Sequence, residues 1–391
     1  MFKEQSPQQR LNDFNLKIAD EFTIPANAIN NLSIDYDIEK PYVSGSFELE
    51  TEFDLGNALQ FKGETNLQLQ AKDVLDYQVN EKFVIFDFNC SRQAVNRFVS
   101  TGKFIDVVSW NLSKKFVSKG FKNCDMKDVI SDADIGKEAL EKSAKVLEFD
   151  ETKKVENFIV PSDKNLLSVQ NRMKEYFNCV YFQTHDKIKI KTWNKLYRNS
   201  NLTVGDSEVT YANPAESGTP FFDVIEYKNI SAQGIDVSKF GARVKTYSYN
   251  PLKRTVKPFE YDLIQANKDL NNLEEVKEIP VGTKSVYISH INPEEQTKYI
   301  FQRHLMFNSQ FMLLASGFFC VNPGETVNLS IKGHENAIEN ISGKYLITKV
   351  TDSIAQGYLT QRVMLSRPTP ANPSWVKYFL KRSSDEILRH R

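Results

Sequence analysis

The sequence has no excess of charge of either sign. Its 50 lysine and arginine residues are balanced by 50 aspartate and glutamate residues, so the formal net charge of the 391-residue chain is zero. A protein whose main role is to bind nucleic acid usually carries a basic excess that neutralises phosphates. The charge balance therefore argues against nucleic-acid recognition.

Long apolar runs are missing as well. The longest, from Phe311 to Val321, is interrupted by Ser316 and Gly317, and it is too short for a membrane-spanning helix, which needs about 20 apolar residues. The N-terminal segment MFKEQSPQQR is polar and has no apolar core of a secretory signal. We therefore expect no membrane insertion, and assembly in the cytoplasm of the host cell.

Cysteine and histidine are scarce, and their spacing matches no common site. No two cysteines have the CxxC spacing, so we interpret all of them as free thiols of a reducing compartment. No two histidines lie three to five residues apart, which excludes a helical zinc pair. The residues concerned are Cys90, Cys124, Cys179, Cys320, His185, His290, His304, His334 and His390. Phosphate-cradling and serine-nucleophile motifs (GxxxxGKS, GxxxxGKT, GxGxxG and GxSxG) are absent too.

Three local patterns are compatible with a functional site, and each has a simpler structural interpretation. Cys179 and His185 could reach one metal across a turn, but further ligands are lacking nearby, and a core thiol with an exposed turn histidine is simpler. Asp35 and Asp37 share a strand face, where paired acids can bind a cation or exchange protons but more often line a solvated surface. Residues 131–134 resemble a calcium loop without its glycine and terminal glutamate. We therefore predict no catalytic, cofactor-binding or metal-binding residues, no cofactor and no enzymatic activity.

What the sequence does contain is β-type patterning. Aromatic residues make up 12% of the chain, with 27 Phe and 16 Tyr, a composition that favours β-rich packing. Apolar and polar residues alternate at 32–36 and 47–52, and residues 94–110 predict a hairpin that turns at 101–103. Residues 14–111 thus predict a first antiparallel β-domain, either a barrel or a sandwich.

The middle of the chain mixes helix and strand signals. Apolar residues three or four positions apart over 166–177 predict a helix capped by Ser162, followed by a hairpin over 180–193. A proline followed by two acidic residues predicts the start of another helix over 293–308. This region therefore differs in class from the β-domain before it.

Two distant stretches share an order of elements. The Gly-Glu-Thr segments 63–65 and 324–326 each lead through a turn into an alternating strand and then a β-hairpin, which ends near Trp110 in one case and Leu365 in the other. A three-residue match is weak by itself, and two unrelated hairpin-rich domains are the alternative. The matching order favours one β-domain used twice, with an α/β insertion between the copies.

Several stretches outside the repeat follow one another in a characteristic order. They are 113–131 with Gly120-Phe121, the helix-then-hairpin unit 166–193, the strand 221–227, the segment 242–254 ending in Asn-Pro-Leu-Lys-Arg, 301–319, the Pro323-Gly324 turn and the strand 343–347. In this order the chain resembles the central hub protein of contractile-tail phage baseplates, the ring that joins the tail tube to the membrane-piercing spike. The same architecture recurs in the N-terminal part of VgrG spike proteins. The resemblance covers about residues 14–370 and is one of pattern and order, without a strict signature.

The resemblance implies a structural virion protein of a contractile injection system, without an active site. Hubs of this family are homotrimers in which each subunit contributes two tube-like barrels, so that three subunits form a pseudo-sixfold ring. The ring joins the hexameric tail tube above to the trimeric cell-puncturing spike below. The implied partners are therefore two sister subunits, a needle- or lysozyme-type spike protein, the tail tube protein and other baseplate proteins, and the implied location is the tail baseplate of the virion.

Together these patterns predict an α+β, β-dominated fold with two tube-like antiparallel β-barrels, an α/β insertion and a C-terminal helix. The predicted segments are an N-terminal arm (1–13), the first barrel (14–111), the insertion (112–220 with 248–308), the second barrel (221–247 with 309–367) and a C-terminal helical segment (368–391).

The C-terminal residues 373–391 have the composition of an amphipathic helix. Its apolar residues are Trp375, Phe379, Leu380, Ile387 and Leu388, and its basic residues include Lys377, Lys381, Arg382, Arg389 and Arg391. Such a helix either packs on the second barrel of its own chain or docks a sister subunit or the spike, because aromatic anchors rimmed by arginine are common at interfaces.

Two other functions stay open at this point. A complete VgrG-like spike or effector would need an additional oligosaccharide-binding barrel and a repetitive β-helix, and no short-period repeat follows residue 366. A cell-wall-degrading hydrolase could use paired carboxylates on a β scaffold. The dispersed acidic residues permit that activity, although no motif supports it.

Overall fold

The computed structural model has a β-dominated architecture. It describes residues 9–61, 63–132, 135, 137, 145–198, 206–210, 224–231, 243–250, 254–270, 283–287, 293–307, 309–332 and 343–368. The predicted C-terminal helix lies outside these residues, as do His290, His334 and His390. None of the helices in the described ranges is long and apolar enough to cross a membrane.

Strands and helices follow one another along the chain. The strands are β1 (Gln9–Arg10), β2 (Asp13–Ile18), β3 (Phe22–Ile24), β4 (Ile29–Asp37), β5 (Ser44–Thr51), β6 (Thr65–Lys72), β7 (Gln78–Ala94), β8 (Arg97–Asp106), β9 (Lys119–Cys124), β10 (Val146–Phe149), β11 (Val155–Val160), β12 (Val180–Gln183), β13 (Lys187–Lys191), β14 (Asp206–Thr210), β15 (Val224–Ser231), β16 (Arg243–Asn250), β17 (Thr255–Asp262), β18 (Thr283–Tyr287), β19 (Ser309–Ser316), β20 (Thr326–Lys332), β21 (Gly343–Ala355) and β22 (Tyr358–Arg367). The helices are α1 (Leu55–Leu59), α2 (Val107–Lys114), α3 (Met126–Ile130), α4 (Leu166–Phe177), α5 (Trp193–Arg198), α6 (Leu263–Asp269) and α7 (Pro293–Met306).

Two sets of five strands in the largest sheet have the same connectivity. The first set pairs in the order β4-β5-β8-β7-β6, and the second in the order β15-β19-β22-β21-β20, with every neighbouring pair antiparallel. The repeated order of elements predicted from the two Gly-Glu-Thr segments is therefore confirmed. The closure of each set into a barrel stays a prediction.

The two sets share two irregularities of register. Each set has a slip in its hairpin and another between its first two strands at equivalent positions, and each has one further slip without a counterpart, between Arg92 and Ala94 or between Asn229 and Ser231. In the first set the shared slips lie between Ile85 and Asp87 and between Ile29 and Asn31, and in the second between Ile347 and Lys349 and between Val224 and Glu226. Bulges are specific features that bend and twist a strand at a defined place. Their matching positions indicate that the sets are copies of one unit.

The Gly-Glu-Thr segments occupy the same place in both copies. Gly63 has φ +89° and Gly324 has φ +83°, in the left-handed region that residues with a Cβ rarely adopt. The next strand begins two residues later in both cases, at Thr65 and at Thr326. The short motif is therefore a turn that starts the third strand of each copy, β6 or β20.

The two sets are joined edge to edge by a strand pair within the chain. β21 pairs with β20 through its first residues and with β4 through residues 349–354, which lie antiparallel to residues 37–32. One sheet consequently runs through both copies. The alternation of buried and partly exposed residues along β4, with Leu32, Ile34 and Tyr36 buried, turns one face of that strand into the core.

Smaller sheets and most helices come from the middle of the chain. β10, β13 and β12 form one sheet, β9 pairs with β11, and β17, β16 and β18 form another sheet. Residues 243–247, which the sequence analysis assigns to the second barrel, pair with β17 and β18 in this last sheet. The boundaries of the predicted domains stay a prediction.

The helix α4 has the predicted amphipathic form but a different cap. Its apolar residues between Leu166 and Phe177 are buried in the core of the middle region. The side chain that caps it belongs to Asn165, whose Oδ1 accepts the Ser168 N–H at 2.8 Å, rather than to Ser162. Serine and asparagine are both good N-caps. The apolar periodicity therefore predicted the position of the helix, but the residue types alone did not determine where it begins.

The hairpin predicted over 94–110 turns elsewhere. β7 runs to Ala94 and β8 begins at Arg97, so the expected turn at 101–103 lies inside β8, and residues 107–110 belong to α2. Gly102 is needed for packing rather than for a turn, because a Cβ there would lie 2.4 Å from the Phe47 ring.

Gly45 should be the glycine of the first set that tolerates substitution least. A Cβ at Gly45 would lie 2.1 Å from the Ser33 carbonyl oxygen of β4 and 2.4 Å from the Phe104 ring. Because overpacking costs about 1–3 kcal/mol or more, we expect Gly45→Ala to lower the urea midpoint of unfolding clearly. Gly120→Ala, where nothing lies within 4 Å of the new Cβ, is the matched control. Equal midpoints for both variants would contradict the packing.

Candidate functional site

Four polar side chains meet in the interior, where the two strand sets contact the middle region. Tyr36 comes from β4, Glu81 from β7, His185 from the turn between β12 and β13, and Asp352 from β21. Their exposed fractions are 1%, 2%, 9% and 0%. Charged groups are rarely buried this completely unless they are paired, and we call these four residues the charged junction.

His185 lies between the two carboxylates of the charged junction. Its Nδ1 is 3.7 Å from Glu81 Oε2 and its Nε2 is 3.4 Å from Asp352 Oδ2. The imidazole packs edge-on against the rings of Tyr36 and Phe319, with centroids 4.4 and 5.4 Å away. The two flanking anions favour the charged form of the imidazole, and the aromatic rings hold it in one orientation.

Glu81 has the most partners. Tyr36 Oη donates a hydrogen bond to Oε2, and Lys145 Nζ lies 3.1 Å from Oε1 while also donating to the Thr184 carbonyl at 2.7 Å. Burial alone would raise the pKa of Glu81, but Lys145, His185 and the Tyr36 hydrogen bond outweigh it and lower the pKa to about 2. Glu81 is therefore ionised at neutral and mildly acidic pH.

Asp352 is the weaker acid of the two. Gln361 Nε2 donates to its Oδ1 at 2.7 Å, and the other end of Gln361 accepts the Phe318 N–H at 2.9 Å. Burial is the main cause that raises the pKa of Asp352 to about 6, against the opposing charge of His185. Burial would lower the pKa of His185, but the close approach of Glu81 and the charges of Asp352 and Glu81 raise it overall. Both shifts keep a proton bound on the side of His185 and Asp352 to a higher pH than in the unfolded chain.

A second cluster of hydrogen-bonded polar residues lies beside the charged junction and holds the middle region in place. Asp106 caps α2 by accepting the Ser109 N–H at 2.8 Å on Oδ1, and it accepts the Val43 N–H at 3.0 Å on Oδ2. Gln183 Nε2 donates to Asp106 Oδ1 and Ser109 Oγ, both at 3.2 Å, and to the Pro41 carbonyl at 3.1 Å. One strand end, one helix start and one loop are therefore held by a single carboxylate.

A third buried carboxylate, Asp73, joins the two strand sets directly. It lies in the turn between β6 and β7, where its Oδ1 accepts the Leu75 and Tyr77 N–H groups at 2.9 and 3.0 Å. Its Oδ2 accepts the Phe319 N–H at 2.9 Å from the loop between β19 and β20. Since the backbone of Phe319 is held there, its ring is fixed against His185.

A cleft of about 620 Å³ opens beside the charged junction. Glu81, Lys145 and His185 line it together with polar residues of β6 and β7. Water can thus reach the rim of the charged junction and exchange protons with it. Within the described ranges no three His, Cys, Asp or Glu side chains are grouped so that they could hold a metal ion. This geometry can retain paired charges and an exchangeable proton at a place where separate parts of the chain meet.

The structure places the residues considered in the sequence analysis in structural roles. Asp35 Oδ1 accepts from Thr351 Oγ1 at 2.6 Å and lies 3.0 Å from Lys349 Nζ across the β4–β21 pair. Asp37 Oδ1 accepts the Glu39 N–H at 2.8 Å in the following turn. The Asp35 and Asp37 carboxylates therefore stabilise the C-terminal end of β4.

The predicted Cys179–His185 alternative is corrected in one respect. Cys179 is a buried core thiol, as the simpler interpretation has it, and burial raises the pKa of that thiol. His185, by contrast, is buried rather than exposed at its turn. In the segment 131–134, Asp132 pairs with Lys119 at 2.8 Å, and residues 133 and 134 lie outside the described ranges.

The sequence analysis overlooked Glu81 and Asp352, although both leave a signal. Glu81 stands between the buried Val79 and Phe83, and Asp352 stands between Val350 and Ile354, also buried. A carboxylate in the interior phase of a period-two strand conflicts with the apolar face around it. Such a conflict indicates that the carboxylate has a buried partner, but only the fold shows that His185 is a partner of both carboxylates.

Comparison with known proteins gives a match at the level of structure. No protein-family model matches the chain, and no characterised protein sequence does. The 43 kDa tail protein of prophage MuSo2 from Shewanella oneidensis is similar with a TM-score of 0.58 and 10% identity, over 91% of this chain and 98% of that one. The tail protein from Neisseria meningitidis MC58 is similar with a TM-score of 0.59 and 9% identity, over 90% and 96% of the two chains. The chain shares the fold of these tail proteins.

A third similar structure comes from a secretion system. The Escherichia coli c3393 protein, a component of the type VI secretion system described as similar to the T4 tail proteins gp27 and gp5, matches with a TM-score of 0.50 and 9% identity. The match covers 91% of this chain and 77% of that protein. Identities this low show a common fold, which extends over nearly the whole length of the chain.

Removal of the Glu81 charge should destabilise the protein strongly. Glu81→Gln leaves His185 and Lys145 buried without their anion, and breaking a buried ion pair from one side costs about 3–5 kcal/mol. Urea denaturation followed by circular dichroism measures the effect. Glu50→Gln, which removes an exposed partner of Arg97, should leave the midpoint close to that of the wild type. A Glu81→Gln midpoint equal to that of Glu50→Gln would disprove the pairing described for Glu81.

The contribution of the charged junction to stability should decrease as the pH rises above about 4.5. The pKa of Asp352 is raised from 3.8 to about 6 and that of His185 is raised from 6.5, so the folded protein holds protons that the unfolded chain has already released. This contribution is complete below the unfolded values and is lost as the pH passes through the raised ones. The lowered pKa of Glu81 acts in the opposite direction only below its ordinary value of 4.5.

The Asp352→Asn variant isolates that pH dependence. Asparagine keeps an oxygen for Gln361 but removes both the titrating carboxyl group and one anion beside His185. We expect the urea midpoint of the variant to vary less than that of the wild type between about pH 5 and pH 8. A variant that keeps the wild-type slope would show that the protons are bound elsewhere.

Proposed function

We propose that this protein is a structural component of a contractile tail, the central hub of its baseplate. The observation that carries the proposal is the duplicated five-strand set, whose copies share strand order and two register slips at equivalent positions. The fold that the chain shares with tail proteins over about nine tenths of its length supports the same assignment.

A duplicated unit suits a protein that connects a hexameric structure to a trimeric one. If three copies of the chain surround an axis, their six strand sets present a nearly sixfold surface to a hexameric tail tube, while the rest of the chain stays threefold for a trimeric spike. Closed rings of this kind are the usual outcome of repeated head-to-tail contacts. We therefore propose a homotrimer with the tail tube protein above, the spike protein below and other baseplate proteins around it.

The similarity to secretion-system proteins supports a place near the spike. The E. coli protein with this fold is a type VI secretion component described as similar to both gp27 and gp5 of T4. On this proposal the chain is a virion protein of the tail baseplate. Its buried carboxylates hold parts of the chain together and perform no catalysis, which separates this proposal from the hydrolase alternative.

Oligomeric state gives the direct test. The purified chain should elute in size-exclusion chromatography with a light-scattering mass three times its 45.0 kDa, and averaged particles should show a ring of six similar lobes. Pull-down with the tube and spike proteins encoded beside it should recover both. A monomer that binds neither protein would contradict the hub assignment, and measurable cell-wall hydrolysis would favour the alternative.

A further inference from the structure

The pair formed by β21 and β4 joins the two strand sets in a defined way. β21 is the fourth strand of the second set in chain order, and its residues 349–354 use the edge that β20 leaves free. β4 is the first strand of the first set, and it offers the edge that does not pair with β5. The internal contact is therefore the fourth strand of one copy against the first strand of the other.

Among the described residues, the equivalent edges of β7 and β15 have no strand partner. β7 is the fourth strand of the first set in chain order: β6 pairs with its residues 78–85, and beyond them the described strands pair with it only through β8. β15 is the first strand of the second set, and in the described ranges only β19 pairs with it. An unpaired strand edge exposes a row of backbone donors and acceptors.

Burial along β7 shows the effect of the missing neighbour. The slips of register make Phe88, Cys90 and Arg92 equivalent to residues 350, 352 and 354 of β21. The three β21 residues, which lie beside β4, are fully buried, whereas Phe88 and Cys90 are half-buried and Arg92 is exposed. The fourth strand of the first set, β7, has the same place in its unit as β21, but among the described residues no strand other than β8 pairs with its residues 88–92.

We propose that residues 88–92 of β7 pair antiparallel with β15 of a second copy of this chain, in the register of the β21–β4 pair. The inference rests on the proposed function in that it supplies the contact that would close the ring. The internal pair places Ser353 opposite Ser33, and the equivalent positions are Ser91 and Lys228. The register thus places Ser91 of one copy opposite Lys228 of the next, and Cys90 opposite Asn229.

Repetition of this contact gives a closed assembly rather than a pair. The surfaces of β7 and β15 differ, so each copy donates one edge and accepts another, as in rings. The step from one chain to the next then has the same strand relation as the step between the two sets inside a chain. Each sheet edge named here would be covered, which removes the sites at which β proteins otherwise aggregate.

Disulfide trapping tests the register. Ser91→Cys and Lys228→Cys are prepared as separate proteins on a Cys90→Ser background, mixed, and oxidised mildly, and the linked peptides are identified by mass spectrometry. Directly opposite residues in an antiparallel pair have Cβ atoms about 4.5–5.5 Å apart, which a disulfide can bridge with small adjustment. We expect a 91–228 link between different chains in most of the mixed protein, and no 91–91 or 228–228 link.

Two controls fix the interpretation. The double variant Ser33→Cys with Ser353→Cys reproduces the internal pair and should link within one chain under the same conditions. A mixture of Ser91→Cys with Ser33→Cys should stay unlinked, because β21 already occupies the edge of β4. The first control shows that the chemistry works at an equivalent position, and the second shows that linking is specific.

The outcomes separate this inference from the proposed function. A 91–228 link in an assembly three times the mass of one chain supports both. An assembly of that mass without the link overturns the strand pairing and leaves the hub assignment standing, whereas the link in an assembly of another size supports the pairing and overturns the trimer. A chain that stays monomeric and unlinked overturns both.

Discussion

The antiparallel pair between β21 and β4 is the interaction on which the rest of the structure depends. Backbone N–H and C=O groups have to be paired somewhere, and two similar strand sets with free edges meet that need most simply by pairing with each other. The pair fixes how the first copy is placed against the second. It also carries the Asp35–Lys349 and Asp35–Thr351 contacts, and it brings Tyr36 and Asp352 to the same interior site.

The buried charges lie where this strand pair meets the middle region. Glu81, His185 and Asp352 come from three parts of the chain that are far apart in sequence, so none of them can satisfy its charge unless the other two parts are docked. A buried ion pair adds little net stability compared with apolar packing, but it strongly disfavours any arrangement in which one partner is missing. The charged junction therefore specifies one way of docking these parts.

Local periodicity was enough to predict the strands of both copies, the helices α4 and α7 and the order of the repeat. Three features were beyond it. The turn expected at 101–103 was wrong because Gly102 serves the packing of Phe47, and sequence pattern cannot distinguish a glycine that leaves space from one that turns the chain. The pairing of β21 with β4 depends on contacts between distant residues. The burial of His185 depends on two carboxylates from other parts of the chain, which no spacing rule connects.

The duplicated sets also explain how such a fold persists at 9–10% identity to its structural relatives. Register is held by backbone hydrogen bonds, which do not depend on side-chain identity, while a core accepts new side chains if their summed volume is kept. One row of the sheet shows this within the chain: Phe47 lies beside Gly102 in the first set, and the equivalent positions in the second are Leu313 and Val363. A large residue beside a glycine in the first set thus corresponds to two residues of intermediate size in the second, and all four lie on the core side of the sheet. Selection on strand pairing and on total volume, rather than on individual residues, leaves shared slips and turns as the lasting trace of the duplication.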